Sequence, residues 1–365
     1  MSFQYLPNRR PPRTELGAIG WLKQNLFSSI SNTLLTLSAL AFLSWALPPL
    51  FSWAIWNADF RGQSALDCQS GGACWVFVKV QFHAFMFGFY PESERWRVYL
   101  VFLGYLPFFG FWIWRCCPIK RLKHIGITLI LLPIMTWWTL YGGILGLPVV
   151  RTELWGGMLM TLVVASVGLL FSLPLGILLA LMRRSSLPLV RGFAVVFIEL
   201  WRGVPLVTVL FMANVLLPLF LPSHFHVDNL LRALIGVALF ASAYMAEVIR
   251  GGLQAIPRGQ YEAADSLGLS YYHKMRLVIL PQAVRTVIPG ITNTFVGLLK
   301  DTTLVSIIGL YDFLGIVHSA SQDARWLGYS LEGYAFCALV YFVLCYGMSA
   351  TSIRIEQHYS GATQR

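Results

Sequence analysis

Charge is scarce in this sequence. Sixteen acidic residues and 27 lysines and arginines make only 12% of 365 residues, while 57% are hydrophobic. So little polar surface cannot cover a core in water, and a bilayer is the expected solvent. Also missing are a Gly-x-x-x-x-Gly-Lys-Ser/Thr phosphate loop, any zinc-spaced His/Cys cluster and a Gly-x-Ser-x-Gly elbow. Nucleotide hydrolysis by this chain, zinc chemistry and serine esterase chemistry are therefore not expected. The formal charge of +11 would suit nucleic acid on a soluble protein. Here the basic residues stand between long apolar runs, so membrane lipid is the expected surrounding and no nucleic-acid partner is expected. The segment Met1 to Arg13 is polar and Pro-rich, and the apolar run after it is longer than a signal-peptide core. It reads as an uncleaved tail.

What is abundant is apolar sequence in lengths that match a membrane. A helix needs about 20 apolar residues to cross a hydrocarbon core of about 30 Å. Eight stretches qualify, near Ser28–Leu50, Val98–Trp114, Ile125–Leu147, Gly157–Met182, Val204–Leu221, Leu230–Ile249, Val287–Leu310 and Gly333–Ser352. Pro133, Pro174, Pro218 and Pro289 fall in or beside them and predict kinks. With the N-terminus inside, nineteen of the 27 lysines and arginines lie on cytoplasmic segments and seven on external ones. The positive-inside rule and the even span number put both termini in the cytoplasm.

The expected organisation is a cytoplasmic tail (1–27), an N-terminal extension of three helices with a large periplasmic loop at 51–97 (28–150), a five-helix core (151–352) and a second cytoplasmic tail (353–365). In the external loop, Lys79 and His83 share one helical face between aromatics, which suits an interfacial helix; the alternation Lys79, Gln81, His83 suits a strand nearly as well. Cys68 and Cys74 lie in the same loop around Gly71-Gly72, which lets the chain turn back. A disulfide between them is expected in an oxidising periplasm, whereas Cys116 and Cys117 would face a reducing cytoplasm and Cys337 and Cys345 lie in a helix.

The longest cytoplasmic connection is 250–285. Gln260 to Leu267 is rich in helix formers and ends at Gly268, suited to the left-handed position after a helix, and a second helix, Tyr271 to Ile279, is expected to stop at Pro281. Two short helices meeting at a glycine make a compact knob, with small Ala263 and Ala264 allowing another protein to approach. Glu262-Ala263-Ala264, three residues, Gly268, nine residues, then Val278-Ile-Leu280-Pro281 resembles the EAA signature of permeases from binding-protein-dependent ABC importers. The flanking Ala246-Glu247-Val-Ile-Arg250-Gly251-Gly252, Leu299-Lys300-Asp301-Thr302-Thr303-Leu304 and Ile198-Glu199-Leu-Trp-Arg202-Gly203-Val-Pro205 are similar to the histidine, glutamine and general L-amino acid branch. The resemblance covers about Thr152 to Ser352. The N-terminal extension departs from the shorter five-helix members, although the general L-amino acid permeases carry one.

The resemblance implies an all-α integral membrane protein of the type I importer class in the bacterial inner membrane. It implies pairing with a homologous permease, a dimer of ABC ATPase subunits that binds ATP and Mg, and a periplasmic amino-acid-binding protein. This chain would hold no cofactor or metal and carry no catalytic residue. Glu262, Ala263, Ala264, Gly268, Leu280 and Pro281 would couple to the ATPase. Lys300 and Asp301 are the charged pair deep in an expected span, where each costs about 3 kcal/mol if unpaired. With Thr302, Asn293, Thr294 and Asn214 they are expected to line the substrate path, Asp301 toward substrate; a buried ion pair with partner-helix groups that fixes register is the structural alternative. Relatives favouring basic amino acids often carry an acid where Thr294 stands, which argues against a strictly basic preference. Glu199, Glu247 and Arg202, near cytoplasmic helix ends, read as structural or gating residues. The rival classes are an ion-driven secondary carrier, which should show inverted repeats, and a membrane enzyme, which should bring a nucleophile, base and metal set together.

Overall fold

The computed structural model describes residues 17–114, 122–143, 146–220, 222 and 227–360, so Cys116, Cys117 and the terminal arginines fall outside it. Among the described residues there are helices and isolated bridges but no strand. Contacts divide the chain into two compact units, Met1–Val76 and Phe77–Arg365, where sequence placed the division near Val150.

The first unit holds α1 (Gly17–Asn25) and α2 (Ile30–Phe51). Ser29 caps α2 by accepting from the Asn32 N–H, and no residue of α2 is buried, as suits an all-apolar helix whose solvent is lipid. Beyond it the chain folds back: Ala73 N–H bonds the Trp53 carbonyl at 2.8 Å, the Trp75 indole bonds the Ala54 carbonyl at 2.7 Å, and Ser70 binds Asp59. The Ser70 hydroxyl and backbone N–H hold the half-buried Asp59 carboxyl below the usual carboxylate range. Cys68 and Cys74 are joined by a disulfide across this turn, Cα to Cα 5.6 Å. Closing so short a loop contributes about 2 kcal/mol. Unreduced protein is expected to give no maleimide adduct at either cysteine, and a C68A/C74A variant to melt at lower temperature. An adduct without prior reduction would contradict the bond.

The second unit takes α3 (Trp75–Phe87) from Phe77 onward, α4 (Arg95–Trp114) and α5 (Leu122–Tyr141) together with the rest of the chain. α3 is a helix and not a strand, with Lys79 and His83 exposed and Phe77, Phe85 and Phe87 buried. Val98, Val101 and Leu140 share one core with Leu159, Val163, Leu210 and Leu234. Buried Arg97 fixes the start of α4 through Glu94 at 2.7 Å and the Pro148 carbonyl at 2.9 Å.

The centre of this unit is α6 (Gly157–Arg183) packed along α10 (Asn229–Ala255). Lipid gives helices no hydrophobic reason to associate, so close approach over small residues does the work. A Cβ at Gly176 would stand 2.7 Å from the Met245 side chain, and one at Gly252 2.6 Å from the carbonyl oxygen of Ala283. Gly252→Val is expected to cost about 1–3 kcal/mol through overpacking. Its neighbour Gly251 faces open space. Gly251→Ala should leave the melting temperature in detergent nearly unchanged, and equal melting of both variants would refute this packing.

Four helical runs among the described residues are long and apolar enough to cross a membrane: Ile30–Trp56, Gly157–Arg183, Asn229–Ala255 and Ser330–Gln357. A fifth arises if α7 (Pro188–Gly203) and the run Leu206–Leu219, bent by 106°, count as one. The eight expected spans are thus not all simple helices. Val204, held extended by the following Pro205, separates α7, which was not among the eight, from the expected span that begins there. Another changes character after α14 (Ile288–Asp301), tightening to a 3-10 helix over Thr302–Ile308 that ends at Gly309, φ +81°. α15 (Phe313–Ser321) and α16 (Ser330–Ser360) complete the unit. The buried Asp312 caps α15 through the Gly315 and Leu314 N–H groups and accepts the Tyr341 hydroxyl. Sequence reading passed over it.

Prolines leave a second mark. Pro48-Pro49, Pro218 and Pro281 each adjoin a wide π turn, at Ser52–Trp56, Met212–Leu216 and Lys274–Ile279. A proline has no N–H for the carbonyl four residues back and clashes with it; for Pro218 and Pro281 that carbonyl, of Asn214 or Leu277, lies inside the π turn, whose wider winding absorbs the clash without ending the helix.

Candidate functional site

The connection after α10 forms the expected knob. α11 (Arg258–Ser266) follows Pro257 and ends where the Gly268 N–H bonds the Asp265 carbonyl at 2.9 Å and the Leu269 N–H bonds the Ala264 carbonyl at 3.2 Å. Gly268 has φ +69°, and a Cβ there would meet nothing within 4 Å. Backbone handedness, not crowding within the chain, therefore demands glycine. The second arm does not stop at Pro281. α12 (Tyr271–His273), the π turn and α13 (Leu280–Thr286) run on continuously, with Leu280 N–H reaching back to the Met275 carbonyl.

Two polar contacts staple the arms: Lys274 Nζ lies 2.5 Å from Asp265 Oδ1, and Gln282 Nε2 donates to Gln260 Oε1 at 3.0 Å. The six coupling candidates then sort by direction. Glu262, Ala263 and Gly268 face outward, together with Leu267 (78% exposed), Tyr271 (61%) and Tyr272 (59%). Ala264 is buried, Leu280 packs against the core that contains Met245, Ile249 and Leu253, and Pro281 is half-buried. Ala264, expected to allow the approach of another protein, is buried within this chain. The exposed apolar trio was missed because the signature drew attention away from the residues between its fixed positions.

At the base of the knob the Tyr261 hydroxyl donates to the Leu253 carbonyl at 3.1 Å and accepts from Arg184 Nη1 at 2.8 Å, with the guanidinium 5.4 Å from the ring centre. Arg184, Tyr261 and Glu262 line a cleft of about 440 Å³. Next to it lies a cluster of five charges. Arg183 reaches Glu247 at 2.6 Å and Glu199 at 2.9 Å; Arg250 binds Glu247 at 2.7 Å, and Arg202 stands 3.8 Å away. Sequence reading named Glu199, Glu247 and Arg202 but not Arg183, Arg184 or Tyr261. Their only signal was a pair of arginines closing an uncharged helix.

The expected path residues do not form one cluster. On α14, Pro289, Asn293 and Lys300 are exposed, and Gly297 between them faces open space. Steps of four, four and three residues put these on one face. Asp301 is half-buried about 100° away, at the change to 3-10 helix. The side chains of Lys300 and Asp301 have no hydrogen bond or ion pair among the described residues. Thr302 is buried and donates to the Leu299 carbonyl at 2.8 Å, and Thr294 donates to the Gly290 carbonyl at 3.0 Å. Asn214 is half-buried in a π turn, where its carbonyl accepts from Arg232.

Fold and site together define a polytopic membrane protein with a stapled helical knob at one end of its helices, a charge cluster beside it and an exposed face of α14 that carries Asn293 and Lys300. That is the description of a transport permease. Residues 172–356 match the family of binding-protein-dependent transport system inner membrane components. The sequence is 49% identical to the inner membrane amino-acid ABC transporter permease protein YhdY of Escherichia coli, covering 97% of this chain and 96% of that one. It is 37% identical to the glutamate/glutamine/aspartate/asparagine transport system permease protein BztC of Rhodobacter capsulatus, covering the same shares. A solved crystal structure of an amino acid ABC transporter with histidines overlaps 55% of this chain and 92% of its own, at 32% identity and a TM-score of 0.49. The chain belongs to the binding-protein-dependent inner membrane component family, the permeases of ABC importers, and not to the ion-driven carriers.

Proposed function

We propose that this chain carries general L-amino acids across the bacterial inner membrane, paired with a homologous permease and served by a periplasmic binding protein and an ATPase dimer that binds ATP and Mg. The observation that carries the reading is the knob, whose exposed Leu267, Tyr271 and Tyr272 sit on a rigid, stapled support. Large aromatic and aliphatic groups on a stiff protrusion suit a pocket on a water-soluble partner. Two full-length relatives named as amino-acid permeases support the substrate class.

The polar face of α14 supplies the path. A zwitterion in a region of low dielectric needs polar partners, and Asn293 and Lys300 offer a hydrogen-bonding amide and a cation for its carboxylate. Thr294 where an acid would favour basic substrates, and a cation as the charge on the exposed face, favour neutral and acidic amino acids alongside others. The N- and C-termini lie in the cytoplasm, the knob on the same side, and no ATP site resides on this chain. Competition by a panel of amino acids against labelled glutamine in proteoliposomes tests the breadth. Inhibition by acidic, amide and aliphatic amino acids is expected, and inhibition by arginine and lysine alone would contradict it.

A further inference from the structure

Arg183, the last residue of α6, and Arg184, its C-cap, point to different neighbours. Successive helical positions diverge by about 100°, so Arg183 and Arg184 leave the same helix end in different directions. Arg183 bridges Glu247 on α10 and Glu199 on α7, and Glu247 also holds Arg250. Arg184 takes the Tyr261 hydroxyl and ring on α11 and reaches the Leu253 carbonyl of α10 at 3.3 Å. Tyr261 in turn donates to that same carbonyl. Four helices thus meet at one pair of arginines.

Apolar packing between helices resists separation but permits sliding. Hydrogen bonds to charged groups are directional and contribute about 1.5–3 kcal/mol each, so they resist rotation as well. The first arm of the knob, α11, follows α10 through Ile256 and Pro257, while the second arm joins α10 by apolar packing of Met275, Ile279 and Ala283 with Met245, Ile249 and Leu253, contacts that hold the arm without fixing its rotation. Arg184 and Tyr261 add a directional polar attachment between α11, α10 and the end of α6, and Arg183 extends it to α7 and α10.

We infer that Arg183 and Arg184 form a double clamp that makes the knob, α6, α7 and α10 move as one body, so that both are positioning residues for energy coupling. The inference rests on the reading of the knob as the ATPase contact. It is tested in the reconstituted complex by measuring amino acid transported per ATP hydrolysed for native protein, Tyr261→Phe, Arg184→Met and Arg183→Gln. Tyr261→Phe removes both hydroxyl bonds yet keeps the ring. Expected is co-purification of the ATPase with all variants, continued hydrolysis, and a fall of about fivefold or more in transport per ATP. A native ratio in assembled variants overturns the clamp and leaves the importer reading intact. Failure of Tyr261→Phe to assemble also overturns it, by making the contact one of folding. Absence of ATP-driven uptake by the native complex removes the importer reading and the clamp with it.

Discussion

Gly268→Val should leave the protein inserted and folded while abolishing most ATP-driven transport. Gly268 sits at φ +69°, where an L-residue costs about 1–2 kcal/mol and a β-branched one more. Nothing lies within 4 Å of the position a Cβ would take, so the damage is a change of backbone path and not a steric block inside the chain. That path sets the angle between α11 and α12, hence the spacing of Leu267 from Tyr271 and Tyr272. Anchors of this kind cost about 2 kcal/mol or more when displaced, roughly 30-fold in affinity. Pull-down of the ATPase on the tagged permease reads the loss. Tyr271→Ala should weaken the same contact with the backbone unchanged. Normal ATPase recovery by both variants would mean that the knob is not the docking element.

The second large effect is expected at Lys300. Lys300→Met keeps the aliphatic stem, removes the cation from the exposed face of α14, and disturbs no hydrogen bond or ion pair of that side chain among the described residues. Assembly with the ATPase should persist, and transport of amino acids should fall by about tenfold or more, the worth of one charge-assisted hydrogen bond. Asn293→Leu, about two turns away on the same face, should act in the same direction with a smaller effect. Thr302→Val should be felt as stability and not as transport, because that hydroxyl is buried on the Leu299 carbonyl. Substrate-dependent uptake measured against assembled complex separates these outcomes. Unchanged uptake by both Lys300→Met and Asp301→Asn would remove α14 from the path, and loss of assembly in either would return it to a role in pairing.

Much of the architecture was legible because lipid imposes a simple rule: long apolar runs become helices, and α6, α10 and α16 stand where those runs are. The rule fails where backbone chemistry intervenes. The turn to 3-10 helix at Thr302 breaks the run Val287–Leu310 without a change in hydropathy, and the amphipathic α7 before Val204-Pro205 was not among the runs at all. Prolines were misread in the other direction. Pro281 looked like a helix stop, but a π turn carries the helix through it, and that adjustment belongs to residues Lys274–Ile279 and not to the proline itself.

The knob was legible for a different reason. Its glycine, its helix formers and their spacing are local features, so a linear motif describes them well. The clamp is not local: Arg183 and Glu247 are 64 residues apart, and Arg184 and Tyr261 are 77 apart. No pattern along the chain says that a helix end will meet those partners. For α14, the helical repeat correctly separates Lys300 from Asp301 on the helix surface, yet only packing decides which of the two faces out. Sequence reading favoured Asp301 toward substrate, and the exposed face carries Lys300.

The most direct test is accumulation of labelled amino acid in proteoliposomes that hold this chain, its partner permease and the ATPase, with binding protein on one side and ATP on the other. Ionophores are added to collapse proton and sodium gradients. The account predicts that uptake persists with ionophores present and is lost when ATP or binding protein is withheld, or when Gly268→Val replaces the native chain. Uptake that continues without ATP and vanishes with the ion gradients would contradict it.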